Sequence, residues 1–370
     1  MSDNNSNKTT TNEFVNPTCL DGLEILREHR LVFLNTPQPV DIFAALCQPG
    51  NGVLPTSDGN GNQQEESKET FSSNELLTSW QSDKVQFDNN GCLVSLDLGG
   101  KRLHKGIPCD PCVFGKFQKL KILSLAGTDL PLKDILAILQ EVAANNNGNY
   151  NDNDSGSSSI ESLYLGGNGL GNVGIEAIVA SKLFHLPNSS NLTKLDLRYN
   201  DIGSVGMGAI CRAVMGDNGE DGNAASTTTT TTTTSNLQFL YMEGNIIGDE
   251  GCDVLAKLLS SNHSNTNPSS SSSSSSNIRE IYLGGNQIGP TGAKALANCL
   301  NTNKTVSKIY LECNALGDEG AIAFCQVLEE LKGDTGLKHL YVDNNKIGKE
   351  VSNRLGKALR SETAIPDIGA

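Results

Sequence analysis

Residues 278–292 read IREIYLGGNQIGPTG, and this stretch decides the fold because its pattern recurs along the second half of the chain. Further copies begin at residues 160, 192, 237, 306 and 337, with Leu, Ile or Val at the apolar positions except for Met242. A phrase copied in this way encodes one strand–turn–helix unit, which buries its apolar side only by stacking on the next copy. The sequence therefore predicts a solenoid.

The details of the phrase predict where each element lies. Apolar residues on both sides of a single outward residue indicate a short strand, and the apolar residues after the second glycine have helical spacing. Less regular copies begin at residues 93 and 120, so we count about eight repeats. We predict an α/β solenoid with a parallel concave sheet and convex helices.

Amino-acid composition predicts which other segments of the chain are ordered and which are disordered. Segments rich in Asn, Gln, Ser and Thr bury too little apolar surface to offset the entropy of ordering the chain. We predict disorder in 1–13 and 48–70, a short helical segment in 14–47, an N-terminal cap in 71–92 with Trp80, the repeat array in 93–360 and a tail in 361–370. Low-complexity insertions are expected within the array at 145–159, 216–235 and 260–277, all on one rim.

Charge and hydropathy exclude several classes of partner. The formal net charge is -14 and the sequence pI is about 4.8, whereas nucleic-acid binding needs a basic face. No apolar run is long enough to cross a membrane, and the polar first residues do not resemble a signal peptide. We predict a cytoplasmic protein, with a nuclear location as the alternative.

Polar residues at fixed places in the repeat are interpreted as structural. An Asn follows each regular strand, where its carboxamide can satisfy backbone groups that lack a partner. Asp249 and Asp318 are expected to cap the N-termini of their own helices. The Asn positions are 168, 200, 245, 286, 314 and 345.

Two motifs are typical of a nucleotide-binding loop and of a zinc site, and we interpret neither as such a site. Residues 169–174 match G-x-G-x-x-G, but the second and third glycines recur in the other repeats, so the match arises from the repeat itself. Cys109 and Cys112 have the spacing of half a zinc site, with no second pair to complete it. We predict no catalytic residue, cofactor, metal or small-molecule substrate.

The concave face carries the sharper functional signal. Five of the seven tyrosines stand between the paired apolar residues of their strands and should face away from the core. A neighbouring column is mostly acidic. Tyrosine beside charge is typical of binding hot spots, although tyrosine can also act as a strand filler. The predicted partner-binding residues are Tyr164, Arg198, Tyr241, Glu243, Tyr282, Tyr310, Glu312, Tyr341 and Asp343.

The six regular copies resemble leucine-rich repeats of the ribonuclease-inhibitor type, which also occur in Ran GTPase-activating proteins and NOD-like receptors. The first repeat is similar to a plant-type one, with Trp80 before the strand and Ile107-Pro108 after it. The resemblance implies a non-catalytic scaffold that binds a partner protein, and the acidic face favours a partner with a basic patch. The alternatives are a GTPase-activating protein, from a family that relies on an arginine where this chain has only the concave Arg198, and an inhibitor of a basic enzyme.

Overall fold

A computed structural model describes most of the repeat array and part of the N-terminal segment. The described residues are 17–33, 84–89, 91–144, 160–180, 191–215, 235–260 and 276–360. Several predictions lie outside them, namely those for 1–13, 48–70 and 361–370, for Trp80 and for nearly all of the three insertions. At the end of the third insertion, Ser276 is buried and the Asn277 amide donates to the Ser235 carbonyl at 2.9 Å, so these residues belong to the packed array.

One nine-stranded sheet runs the length of the array, with its strands in chain order. Strand β1 is antiparallel to β2, and every later pair is parallel. Equivalent positions of successive repeats are paired, for example Tyr282 with Tyr310. The strands are β1 (Val85–Phe87), β2 (Leu93–Asp97), β3 (Ile122–Ser124), β4 (Ser162–Tyr164), β5 (Lys194–Asp196), β6 (Phe239–Tyr241), β7 (Glu280–Tyr282), β8 (Lys308–Tyr310) and β9 (His339–Tyr341).

Helices follow the strands and pack side by side behind the sheet. The paired leucines of the strands and the apolar faces of the helices form one continuous core. Among the described residues, no helix combines the length and apolar composition needed to cross a bilayer. The predicted α/β solenoid with a parallel sheet is confirmed. The helices are α1 (Pro17–Glu28), a 3-10 helix (Pro111–Lys116), α2 (Leu132–Ala144), α3 (Gly171–Ala180), α4 (Ser204–Met215), α5 (Gly248–Ser260), α6 (Pro290–Cys299), α7 (Gly317–Leu331) and α8 (Lys349–Leu359).

The N-terminal helix closes one end of the core. Leu23 and Leu26 of α1 are fully buried within the same apolar cluster as the repeats. A methyl group built on Gly22 would lie 2.7 Å from the Phe117 ring, so α1 sits close against the segment after the 3-10 helix. An open solenoid end exposes core, and α1 covers it.

The asparagines form a hydrogen-bonded ladder inside the turns. The Asn245 carboxamide accepts from the backbone N–H groups of Asn200 and Ile202, both at 3.0 Å. Its Nδ2 donates to the carbonyls of Leu197 and Met242 at 3.0 and 2.8 Å. Each asparagine therefore joins two repeats and satisfies buried backbone groups that the strands leave unpaired.

The expectation that Asp249 and Asp318 cap their own helices is wrong. Asp249 lies inside the first turn of α5, and its Oδ1 accepts from the N–H groups of Gly289 and Gly292 at the start of α6, at 2.7 and 2.9 Å. Asp318 likewise accepts from Gly348, which precedes α8, at 2.6 Å. Each carboxylate caps the helix of the following repeat.

The repeats consequently alternate between two kinds. The helices α4, α6 and α8 begin at glycines whose N–H groups bind a side chain of the preceding repeat, Asn172, Asp249 or Asp318. The helices α3, α5 and α7 begin at a left-handed glycine, whose N–H donates to the backbone carbonyl of the ladder asparagine of the following repeat. The two kinds of junction follow one another along the array.

Candidate functional site on the concave sheet

Four tyrosines form a continuous stack on the face of the sheet opposite the helices. The rings of Tyr241 and Tyr282 are 4.4 Å apart between centroids, those of Tyr282 and Tyr310 are 4.1 Å apart, and those of Tyr310 and Tyr341 are 4.5 Å apart. The last two pairs are tilted by only 8°. The parallel register causes this arrangement, because it places equivalent side chains on adjacent strands. We call these four residues the tyrosine stack.

Tyr164 lies on the same face but outside the stack, because Asp196 separates it from Tyr241. Asp196 occupies the tyrosine position of β5, where the alternation predicts a side chain that faces away from the core, but it is only 2% exposed. The Arg198 guanidinium covers its carboxylate, with Nη2–Oδ2 and Nε–Oδ1 distances of 2.6 and 3.0 Å. Gly166 leaves the space for that carboxylate, since a Cβ there would lie 3.2 Å from Oδ1.

The acidic column runs beside the stack. It contains Glu243, Glu312 and Asp343, which we call the acidic flank, and Gly284 stands between the two glutamates. Burial raises the pKa of both glutamate carboxyls, and the neighbouring acids raise it further. The Oε2 atom of Glu243 is buried and finds no hydrogen-bond partner within the described chain. Burial therefore carries an electrostatic cost for these carboxylates, and the nearby Arg198 charge offsets that cost for Glu243 only in part.

Sequence analysis missed a third column, two residues before the tyrosines on the same strands. Lys308 Nζ lies 3.0 Å from Glu280 Oε1, and the Tyr282 hydroxyl donates to Glu280 Oε2 at 2.8 Å. Burial and this hydrogen bond both raise the pKa of the Tyr282 phenol, so the ring stays neutral at physiological pH. The alternation that identifies the tyrosines also predicts this column. Its members are Lys194, Phe239, Glu280, Lys308 and His339.

Two cations contact rings of this face. Lys194 Nζ lies 5.3 Å from the centroid of the Phe239 ring, and the Arg198 guanidinium lies 5.6 Å from that of Tyr241. Both separations are within the range of a cation–π contact. Charged side chains therefore contact the aromatic rings of β6, the strand of the stack that lies next to β5.

The residues of the G-x-G-x-x-G segment and of the cysteine pair lie within the described ranges. Gly171, inside the G-x-G-x-x-G segment, donates its backbone N–H to the Asn200 carbonyl at 2.8 Å, so the helix start already has a partner. Cys109 and Cys112 are free thiols. The described ranges hold no group of three or more His, Cys, Asp or Glu side chains that is placed to bind a metal.

Comparison with known proteins identifies the repeat. Five segments match the family described as "Leucine Rich repeat", at residues 156–179, 188–211, 234–256, 274–297 and 302–325. Each covers one strand of the sheet and more than half of the following helix. The chain therefore contains leucine-rich repeats, and the solenoid is an α/β leucine-rich-repeat fold.

Likeness to individual proteins is weaker. The curated proteins give no match. Among solved structures, 89 chains match, and one of them is "Leiomodin-1 Actin-Binding Site 2 (ABS2)", with 21% sequence identity and a TM-score of 0.25. That match covers 32% of this chain and spans 60% of the length of the leiomodin chain.

Proposed function

We propose that this protein is a non-catalytic scaffold that binds a partner protein on its concave face, and that the partner presents a basic patch. The observation that carries the proposal is the tyrosine stack lying directly beside the acidic flank. Leucine-rich repeats serve as interaction modules, which supports the same class of function.

The energetics of the face favour binding. A tyrosine offers a large contact area and a polar tip while losing few rotamers, and neighbouring rings hold each member of the stack in place. Glu243 and Glu312 lie partly buried without forming an ion pair among the described residues. A partner cation placed against them would offset a cost that the free protein already bears.

We prefer this function to GTPase activation. An arginine that stabilises a transition state must reach into another protein, but the Arg198 guanidinium is held by the Asp196 carboxylate through three contacts no longer than 3.1 Å. Single-turnover hydrolysis by candidate GTPases, with and without this protein, checks the preference. A stimulated rate that Arg198→Ala abolishes would contradict it.

The remaining finer assignments are also proposals. We infer that the regular repeats are of the ribonuclease-inhibitor-like type, since helices of 10 to 15 residues follow strands β4 to β9. The first repeat differs, because its convex element is the 3-10 helix, and we retain the plant-type resemblance for it alone. A basic enzyme is one form that the partner can take. We infer a cytoplasmic location, with the nucleus as the alternative.

Affinity capture from native lysate tests the main proposal. The bait is the full chain, compared with the double variant Tyr282→Ala/Tyr310→Ala and with the charge variant Glu312→Gln. Matched controls are Tyr199→Ala, whose ring is 66% exposed outside the stack, and Glu330→Gln, an exposed acid on α7. We expect the same proteins to be recovered with wild type and both controls, and to be lost with both concave variants. Equal recovery with all five baits refutes the proposal.

A further inference from the structure

The tyrosine stack separates two bands of opposite charge. On one side lies the acidic flank of Glu243, Glu312 and Asp343. On the other side lie cations at the N-terminal ends of the strands, which we call the basic flank and which comprise Lys194, Arg279, Lys308 and Lys338. Lys308 of β8 and Glu312, just after that strand, stand on the two sides of Tyr310 and are four residues apart, a separation of roughly 13 Å.

The two flanks do not neutralise each other. Lys308 pairs with Glu280 on its own side of the stack, and no ion pair crosses the stack among the described residues. Arg279 and Lys338 are exposed and form no ion pair within the same ranges. Three carboxylates thus lie on one side of the four rings, and Arg279 and Lys338 are exposed just before β7 and β9 on the other side.

Because its two flanks carry opposite charges, this face distinguishes the two chain directions in which a peptide segment can lie along the tyrosine stack. A segment with carboxylates on one edge and cations on the other meets opposite charges in one direction and like charges in the reverse direction. Like charges opposed across an interface cost several kcal/mol, so the reverse direction is excluded.

The distance between the two flanks indicates which secondary structure that segment has. An α-helix with its side chains is about 10–12 Å wide, close to the roughly 13 Å between the flanks. The four stacked rings cover three strand spacings, roughly 14 Å, or between two and three turns of helix. An extended chain that directs alternate side chains toward the two flanks leaves no third row of side chains to cover the rings between them.

We propose that the concave face binds a helical segment of the partner in one fixed direction. The acidic edge of that helix lies over the basic flank, its basic edge lies over the acidic flank, and apolar or aromatic residues between them cover the tyrosine stack. This inference rests on the proposed function and refines it from a basic patch to a helix with two charged edges.

Selection from a phage library of random peptides, each about 16 residues or 24 Å of helix, tests the inference without knowledge of the partner. The immobilised baits are wild-type protein, an acidic-flank variant (Glu243→Lys/Glu312→Lys), a basic-flank variant (Lys308→Glu/Lys338→Glu) and the combined fourfold variant. Circular dichroism confirms that each variant is folded. Tyr282→Ala/Tyr310→Ala serves as the stack control.

We expect wild type to enrich peptides that carry acidic and basic residues on opposite edges of one helix. Reversing either flank should weaken their binding at least about tenfold, as expected for opposed like charges. A peptide with its acidic and basic positions exchanged should instead bind the fourfold variant better than it binds wild type.

Other outcomes separate this inference from the proposed function. Enrichment of peptides that carry cations alone and tolerate reversal of the basic flank overturns the inference and leaves the proposed function standing. Peptides that bind the stack control as well as wild type, or a library that yields no enriched peptide, overturn both.

Discussion

Replacing Asn245 with alanine tests the physical basis of the array. The Asn245 side chain is 2% exposed and makes four hydrogen bonds, two as acceptor and two as donor, to two strand-end turns. Alanine leaves two N–H groups and two carbonyls without these partners in the interior. The substitution also leaves a space where the carboxamide was.

The expected loss comes mainly from three of those groups, because the Met242 carbonyl still accepts a hydrogen bond from Asn286 Nδ2 at 2.8 Å. A buried polar group that loses its partner costs about 1–3 kcal/mol, and water entering the vacated space recovers part of that cost. We expect Asn245→Ala to lower the free energy of unfolding by about 3–5 kcal/mol, which is large for a single substitution. The control Asn298→Ala, at an exposed position on α6, should stay within about 0.5 kcal/mol of wild type.

Two measurements check the result. Urea denaturation followed by circular dichroism gives the loss of stability, and hydrogen exchange reports whether the amides of Asn200 and Ile202 lose protection. Repeat arrays can unfold in parts, so the exchange data show whether the loss is local to these turns. A loss below about 1 kcal/mol with unchanged protection would falsify the claim that the ladder holds neighbouring repeats together.

Further substitutions probe the stack, the acidic flank and the junctions. Tyr310→Ala removes two ring contacts worth about 0.5–1.5 kcal/mol each and should lower the urea midpoint more than Tyr164→Ala does; equal shifts would mean that stacking adds nothing. Because burial raises the folded-state pKa of Glu243, its contribution to stability is complete below the unfolded pKa of about 4.3 and is lost as pH rises through the folded value. Glu243→Gln should therefore unfold at higher urea than wild type at pH 7 and at the same urea below pH 4, and the idea fails if it is less stable at pH 7. Asp249→Ala removes the cap of α6 and should cost about 1–2 kcal/mol by thermal unfolding, whereas Asp249→Asn keeps an acceptor and should cost less; identical losses would show that the cap is not the cause.

The sequence predicts those features that depend on the repeat period alone. Counting positions within the phrase is sufficient to place Tyr282 beside Tyr310 and to place the asparagines in the turns. It does not show that Arg198 covers Asp196, because that contact requires the side-chain directions of two residues on one strand. The pairing of Lys308 with Glu280 follows from the same count, because the two residues stand in register on adjacent strands, but only the tyrosine and acidic columns were considered from the sequence.

The prediction that Asp249 caps its own helix was wrong because the local sequence does not show how neighbouring repeats pack. An aspartate near the start of a helix has the same local sequence whether it caps its own helix or the neighbouring one. Only the distance between repeats decides, and that distance appears once the helices are packed. Here the acceptor lies 2.7 Å from Gly289, in the next repeat.

The alternation of junctions has a consequence for how such a chain can change its length. Pro290 occupies the place that Asp249 has one repeat earlier and carries no acceptor, so units of the two kinds are not interchangeable. Deleting one unit brings two ends of the same kind into contact and leaves amides at a helix start without a partner. Deleting two adjacent units restores every contact, so tandem duplication or loss that preserves folding should proceed in steps of two.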